Sequence, residues 1–110
     1  MKERPSPPEN GPSLNPDSAE SFRKTLGGTS PPGGWDAPFR ALWWDARGDW
    51  EAAHAIAQEL PSTWGYRMHA YLHRKEGDSW NAGYWYRMAG IHPCTDPLET
   101  EFERLLRELL

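Results

Sequence analysis

The chain has 110 residues, of which 25% are charged, and its formal net charge at pH 7 is −4. A chain of this length has room for one small domain. The mildly acidic composition lacks the basic stripe that binds phosphate backbones, so it argues against a nucleic-acid partner. The single Cys94 excludes an intramolecular disulfide framework and fits a reducing compartment.

Membrane and export signals are missing from the sequence pattern. No apolar run approaches the length of a membrane span, and the N-terminus lacks the apolar segment of a signal peptide. We therefore predict a cytoplasmic protein that has no membrane partner, and we predict no cofactor.

The first third of the chain differs in composition from the rest. Residues 1–34 contain seven of the eleven prolines and five of the ten glycines, with Phe22 as their one aromatic residue. Such a segment buries too little apolar surface to offset the entropy of ordering it. We predict a disordered tail and linker over residues 1–34 and a folded domain over residues 35–110. Within the tail, Asp17-Ser18 could cap a short helix that runs to Leu26. A helix this short is marginal alone in water, so disorder is favoured. The alternatives are docking of residues 14–28 on the domain and binding of a partner in trans.

The dipeptide Gly-Asp occurs at Gly48-Asp49 and again at Gly77-Asp78, 29 residues later. Each copy separates two stretches whose apolar residues recur at helical spacing. Glycine ends a helix because it adopts the left-handed conformation without a steric penalty, and aspartate caps the next helix through its carboxylate. The repeat predicts two tandem helix-turn-helix hairpins, in which each unit buries its apolar face by stacking on its neighbour.

Four helices are predicted for these hairpins, each preceded by a capping residue. They run over residues 37–47, 50–60, 63–76 and 79–89. Their apolar stripes are formed by Phe39, Leu42, Trp43, Ala46, Ala53, Ile56, Ala57, Leu60, Trp64, Met68, Tyr71, Leu72, Ala82, Trp85, Tyr86 and Ala89.

A fifth helix is predicted at the C-terminus. Asp96 offers an N-cap, Pro97 fits the first helical position, and Glu99 completes a capping box. The helix carries a strict amphipathic stripe, which consists of Leu98, Phe102, Leu105, Leu106 and Leu109. We expect it to cover the exposed end of the second hairpin. The predicted fold is therefore all-α, with two tandem helix-turn-helix hairpins and a C-terminal capping helix after a disordered tail.

The pattern over residues 38–93 resembles the tetratricopeptide and Sel1-like superfamily of helical repeats. Ala82, Tyr86 and Ala89 match the alanine, aromatic and alanine positions of the second helix of that repeat. Ala41 and Ala70 match the small position of the first helix, which permits close helix approach. The resemblance is to a divergent relative, since the period is shorter than the usual 34 residues. It implies helical hairpins and supplies no activity.

His69 and His73 lie four residues apart on one predicted helix and share a face with Glu76. Imidazole nitrogens on consecutive turns can converge on one divalent ion such as zinc, and His92 and Cys94 are candidates to complete such a site. Metalloprotease helices carry a glutamate directly after the first histidine, whereas an alanine follows here. The favoured interpretation is therefore two structural histidines without a metal, and a small metal-binding protein or enzyme is the alternative.

The fourth helix is aromatic nearly all round, which is typical of a helix that is buried on several sides or binds a partner. The candidate binding residues are Trp44, His69, His73, Trp80, Tyr84 and Arg87. The leading hypothesis is a protein-interaction or peptide-interaction module that uses a groove between hairpins. A carbohydrate-binding module, with Trp80 and Tyr84 as stacking platforms, is a further alternative. No paired nucleophile and base stand out, so no catalytic residue is predicted and an enzyme is less favoured.

Overall fold

The computed structural model describes residues 14–110, and these residues fold into helices without a β-strand. The α-helices are α1 (Ala19–Lys24), α2 (Ala37–Ala46), α3 (Trp50–Ala57), α4 (Thr63–Lys75), α5 (Ser79–Ala89) and α6 (Leu98–Leu109), with a 3-10 turn at Thr25–Gly27. Helices α2 and α3 pack as one pair and α4 and α5 as a second, and α3 also contacts α4. The all-α prediction is confirmed. Within the described part of the chain, no helix is long and apolar enough to cross a membrane.

The two Gly-Asp dipeptides form the tight turns of the two hairpins. Gly48 and Gly77 adopt the left-handed conformation, with φ of +85° and +92°. The amides of Asp49 and Asp78 each donate to the carbonyl five residues earlier, at 2.8 and 2.9 Å, which closes the preceding helix. Their carboxylates accept from the amide three residues later, at 3.0 and 3.1 Å. The dipeptide is therefore structural at both positions, as the spacing predicts.

The core lies between the hairpins and the terminal helices. Its largest fully buried side chains are Phe22, Leu42, Trp43, Met68, Leu72, Tyr86, Leu105 and Leu106. Most of these belong to the predicted stripes, and burial of such side chains is the main favourable term in folding.

The structure differs from the predicted tail over residues 14–34. Phe22 of α1 is 0% exposed, and its ring stacks on Trp35 with 5.7 Å between centroids and lies 6.2 Å from Phe102. Helix α1 therefore packs with the domain, because one large aromatic side chain supplies the burial that the composition of the segment as a whole does not indicate. Residues 1–13 of the predicted tail lie outside the described residues.

Docking of the predicted 14–28 segment occurs in the core and not on the aromatic helix α5. The Ser18 hydroxyl caps α1 by accepting from the Ser21 amide at 3.0 Å. At the other end of the helix, the Trp43 indole of α2 donates to the Thr25 hydroxyl at 3.0 Å. These contacts fix the segment against α2.

Helix α6 is positioned differently from the prediction. It packs mainly against α2 and α4, the first helix of each hairpin, and so contacts both hairpins and not the second alone. The predicted capping box is also wrong, since α6 starts at Leu98 without a side-chain cap. Asp96 instead accepts from the Arg104 guanidinium at 2.6 Å. The guanidinium of Arg104 carries a full positive charge, whereas a backbone amide does not, and the Asp96 carboxylate is directed toward Arg104.

Gly65, at the start of α4, has no room for a side chain. A Cβ atom there would lie 2.2 Å from the Leu60 carbonyl oxygen and 2.6 Å from the Leu60 Cβ. We predict that Gly65→Ala lowers the free energy of unfolding by about 1–3 kcal/mol through overpacking. The matched control is Gly83→Ala on α5, where the nearest atom apart from the helix backbone and the adjacent residues is the Arg87 guanidinium nitrogen, at 3.8 Å from the added Cβ. That change should raise stability by up to about 1 kcal/mol, because alanine favours a helix. Urea titrations of both variants test the pair, and equal destabilisation would contradict it.

Candidate metal centre

Three histidines from the two hairpins meet at the contact between α3 and α4. His54 lies on α3, and His69 and His73 lie one turn apart on α4. One ring nitrogen of each lies within 4.8 Å of those of the other two. The closest pair is the Nε2 atoms of His54 and His69, at 2.9 Å. We refer to these three side chains as the histidine centre.

Glu76 orients one ring of the histidine centre. Its Oε2 atom lies 2.7 Å from Nδ1 of His73, which places the carboxylate at the ring nitrogen on that side. A histidine that donates its Nδ1–H to a carboxylate presents an unprotonated Nε2 lone pair, and most metal-ligating histidines are held in this way. His73 is therefore set in the tautomer that a metal ligand needs.

Two tryptophans enclose the histidine centre. Trp50 stacks on His54 with 4.7 Å between ring centroids and an interplanar angle of 11°, and Trp85 stacks on His69 at 4.0 Å and 13°. The Trp50 indole also donates to the Leu72 carbonyl of α4 at 2.7 Å, which ties α3 to α4. The imidazole rings consequently have little freedom to rotate.

Burial keeps two of the histidines neutral. His69 is 7% exposed, and burial, followed by the proximity of His54 and His73, lowers its pKa to about 4. Burial also lowers the pKa of His54, and the nearby His73 adds to that effect, while Glu76 and Glu51 oppose it. Neutral imidazole is the form that coordinates metals, but the 2.9 Å hydrogen bond between the two Nε2 atoms requires a proton on one of them. That ring must carry its proton on Nδ1 instead before both Nε2 atoms can bind one ion.

The sequence prediction found part of this centre. It paired His69 with His73 on one face, and these two rings do stack, with 4.9 Å between centroids. Glu76 contacts His73 and, with His73 and Asp78, forms a second group of possible metal ligands beside the histidine centre. The third histidine was missed, and the candidates to complete the site were wrong. His92 is exposed, and Cys94 lies near Arg104, 3.7 Å from its guanidinium.

His54 could have been found from the architecture of stacked hairpins. In such stacks the second helix of one unit packs against the first helix of the next. His54 belongs to the second helix of the first hairpin, and His69 belongs to the first helix of the second hairpin. A polar ring at the contact between two hairpins indicates a polar side chain on the helix that faces it.

The other predicted binding residues do not join the histidine centre. Trp44 is half-buried on α2 and packs edge-on against Trp43, with 5.0 Å between centroids. Trp80, Tyr84 and Arg87 lie on the exposed side of α5, where Trp80 is 80% exposed. The six candidates therefore divide among the histidine centre, helix α2 and the outer side of α5.

A groove of about 380 Å³ lies between α2, α4 and α6 and is less suited to a ligand. Its polar groups already satisfy one another: the Asp45 carboxylate accepts from the Tyr71 hydroxyl and from the Lys75 ammonium, both at 2.8 Å. Glu103 at its edge pairs with Arg23. We therefore regard this groove as a packing feature of the domain.

No family model, no curated protein and no solved structure matches this chain. The resemblance to tetratricopeptide and Sel1-like repeats accordingly stays a prediction. The function must be argued from the geometry of the histidine centre.

Proposed function

We propose that this protein binds a divalent first-row transition metal, of the zinc class, through His54, His69 and His73. The observation that supports the proposal is the convergence of three imidazole nitrogens within 4.8 Å of one another at the junction of the two hairpins. Three histidines with an open fourth position are an established ligand set for zinc in proteins.

The spacing of the centre is close to what a metal requires. Two nitrogens bound to a tetrahedral zinc at about 2.0–2.1 Å are about 3.3 Å apart. The Nε2 atoms of His54 and His69 are 2.9 Å apart, so they would move away from each other by a few tenths of an ångström to bind one ion. The ring of His73 would move inward toward them. Small shifts of His54 and His69 in the planes of their rings, along the faces of the stacked tryptophans, would supply the change between these two.

The chemistry of the donors also selects among metals. Imidazole suits zinc, copper, nickel and iron, whereas magnesium and calcium prefer oxygen ligands. The Glu76 carboxylate acts on the centre through the Nδ1–H of His73, as a positioning group. We therefore expect binding of Zn²⁺ and Ni²⁺ and none of Mg²⁺.

The test is titration of the metal-free, chelator-dialysed full chain with Zn²⁺, followed by calorimetry and thermal unfolding. Ligand at about 100 times Kd adds about 2.7 kcal/mol of stability, so the melting temperature should rise by at least about 5 °C. Mg²⁺ should leave it unchanged. One zinc per chain is the expected stoichiometry.

Matched variants distinguish the centre from adventitious binding. His54→Phe keeps an aromatic ring against Trp50 but removes a ligand, so it should abolish the thermal shift. The control is His92→Phe, which removes the exposed histidine outside the centre and should retain the full shift. If both variants respond alike, or if the unmodified chain shows no shift, the three rings serve packing alone.

An interaction module is the second candidate function. The observation that favours it is the apolar outer side of α5, where Trp80, Tyr84 and Met88 are 80%, 41% and 46% exposed, together with Ile91 after the helix, which is 40% exposed. Exposed aromatic and aliphatic side chains in one patch are typical of protein-binding surfaces.

A further inference from the structure

A second group of possible metal ligands lies beside the histidine centre, at the Gly-Asp turn of the second hairpin. One ligand atom each of His73, Glu76 and Asp78 lies within 4.8 Å of those of the other two. We call these three side chains the turn site. It shares His73 with the histidine centre. The Nδ1 atom of that ring faces Glu76 at 2.7 Å, which leaves Nε2 for the histidine centre.

The two carboxylates of the turn site have no lysine or arginine partner within residues 14–110. Glu76 pairs there with His73, and the neighbouring cations Arg74 and Lys75 pair with carboxylates of α6 and α2 instead. An ionised carboxylate has about four acceptor positions, so the hydrogen bonds already described leave lone pairs free on Glu76 and Asp78. Two neighbouring carboxylates without a cation attract one.

The first hairpin shows that the turn itself does not require these side chains. Its Gly-Asp turn has the same left-handed glycine and the same capping aspartate. Trp44 stands at the position that corresponds to His73. Arg47 stands at the position of Glu76 and donates to the Leu26 carbonyl at 3.0 Å. The ligand set therefore belongs to the second hairpin alone and is not a by-product of the turn.

We propose that the turn site binds a second divalent ion of the zinc class, so that His73 bridges two ions. This inference rests on the proposed function, because the first ion occupies the histidine centre. The second ion forms a bond to Nδ1 of His73 and replaces the proton that Nδ1 donates to Glu76. That proton goes to solvent, and the ring becomes an imidazolate bound through both nitrogens. Glu76 and Asp78 each supply a carboxylate oxygen to the second ion.

The geometry of the turn site permits this exchange. Two ligand atoms of a tetrahedral zinc are about 3.3 Å apart, so Oε2 of Glu76 would move about 0.6 Å away from Nδ1 of His73. The Glu76 side chain is 38% exposed, so it has room to move toward solvent. Metal–nitrogen bonds of about 2.0–2.1 Å place two ions on one imidazole ring about 6 Å apart. The two ions therefore do not compete for space.

Electrostatics set the order and the strength of the two binding steps. The first ion draws electron density from the ring of His73, which makes the proton on Nδ1 easier to displace. The second ion therefore follows the first. Two carboxylates and the imidazolate offset most of the charge of the two ions. Repulsion between divalent ions about 6 Å apart, at the dielectric constant of water, weakens the second step by about 100-fold. One tight equivalent is thus followed by a weaker one.

The test is equilibrium dialysis of the full chain against about 1 µM to about 1 mM free Zn²⁺, with bound zinc measured by elemental analysis. The unmodified chain should hold one zinc in the lower part of this range and two in the upper part. Asp78→Asn should stop at one zinc, because it removes a ligand of the turn site alone. Asparagine also caps helices, so α5 should stay folded.

The matched control is Asp49→Asn in the first hairpin. Asp49 caps α3 as Asp78 caps α5, so the chemical change and the change in net charge are the same. This variant lies outside the turn site and should still bind two zinc ions. Loss of the second zinc in both variants, or in neither, would overturn the turn site.

Nitrogen-15 NMR of the histidine rings tests the bridge separately from the stoichiometry. With one zinc per chain, Nδ1 of His73 should still carry its proton. With two, Nδ1 should have lost the proton and should show the signal of a metal-bound nitrogen. A protonated Nδ1 at two zinc ions per chain would overturn the bridge.

Failure of this proposal is distinct from failure of metal binding at the histidine centre. One zinc per chain at every concentration would overturn the second ion and leave the histidine centre intact. A chain that binds no zinc would overturn both.

Discussion

Replacing Glu101 by alanine is expected to destabilise the domain by about 3–5 kcal/mol, the usual cost of removing one partner from a buried ion pair. Glu101 of α6 is 5% exposed and accepts from the Arg74 guanidinium of α4 and from the Tyr86 hydroxyl of α5, each at 2.7 Å. Without the carboxylate, a guanidinium and a buried hydroxyl both lose a hydrogen-bond partner. Burial and the adjacent Glu101 carboxylate raise the pKa of Tyr86, so its hydroxyl stays protonated and needs an acceptor.

The same helix supplies a matched control. Glu103 pairs with Arg23, and about half of each side chain is exposed, so Glu103→Ala should change the free energy of unfolding by no more than about 1 kcal/mol. Urea unfolding of both variants measures the difference. Glu101→Gln keeps the shape and one acceptor, and its cost should fall between the two. Similar costs for Glu101→Ala and Glu103→Ala would contradict the assignment of Glu101 as the link between α4, α5 and α6.

Acidification should weaken the metal-free domain through His69. The pKa of His69 is lowered from 6.5 to about 4 in the folded state, so the unfolded chain binds the proton more tightly. The contribution of the neutral His69 ring to the free energy of unfolding is therefore fully present above pH 6.5 and is lost as the pH falls toward 4. A difference of about 2.5 pKa units corresponds to a loss of about 3 kcal/mol. His54 changes the stability with pH in the same direction, since its pKa is also lowered in the folded state.

Unfolding free energies measured between pH 4.5 and 7.5 test this dependence. His69→Phe keeps a ring beside Trp85 and should flatten the curve between pH 4.5 and 6.5. His92→Phe, which alters an exposed histidine, should leave the slope unchanged. NMR titration of the ring protons should show His69 neutral at pH 5. A slope in His69→Phe equal to that of the unmodified chain would rule out His69 as its source.

Local features of the fold could be read from the sequence because their causes are local. Gly48 and Gly77 take the left-handed conformation and Asp49 and Asp78 cap the following helices, as the dipeptides predict. Each of these outcomes depends on residues within one turn of the chain. The cap at Asp96 failed because Arg104, eight residues away, competes for its carboxylate.

Features that depend on distant residues were not predictable in the same way. Phe22 belongs to a segment rich in proline and glycine, yet it is buried because Trp35 and Phe102 provide a site for it. The placement of α6 against α2 and α4 depends on how apolar faces from three helices fit together. Amphipathic spacing indicates that a helix has a buried side, but it does not identify the helix that covers it.

The amino-acid sequence by itself determined the helices, their turns and the pairing of His69 with His73 on one face, because helical spacing and glycine conformation are properties of short segments. Only the tertiary structure brought His54 across to these two residues and left Trp80, Tyr84 and Met88 of α5 exposed. Both outcomes depend on which helices pack together, a choice made by side chains far apart in the chain. The histidine centre, from which we infer metal binding, is therefore a consequence of how the two hairpins assemble.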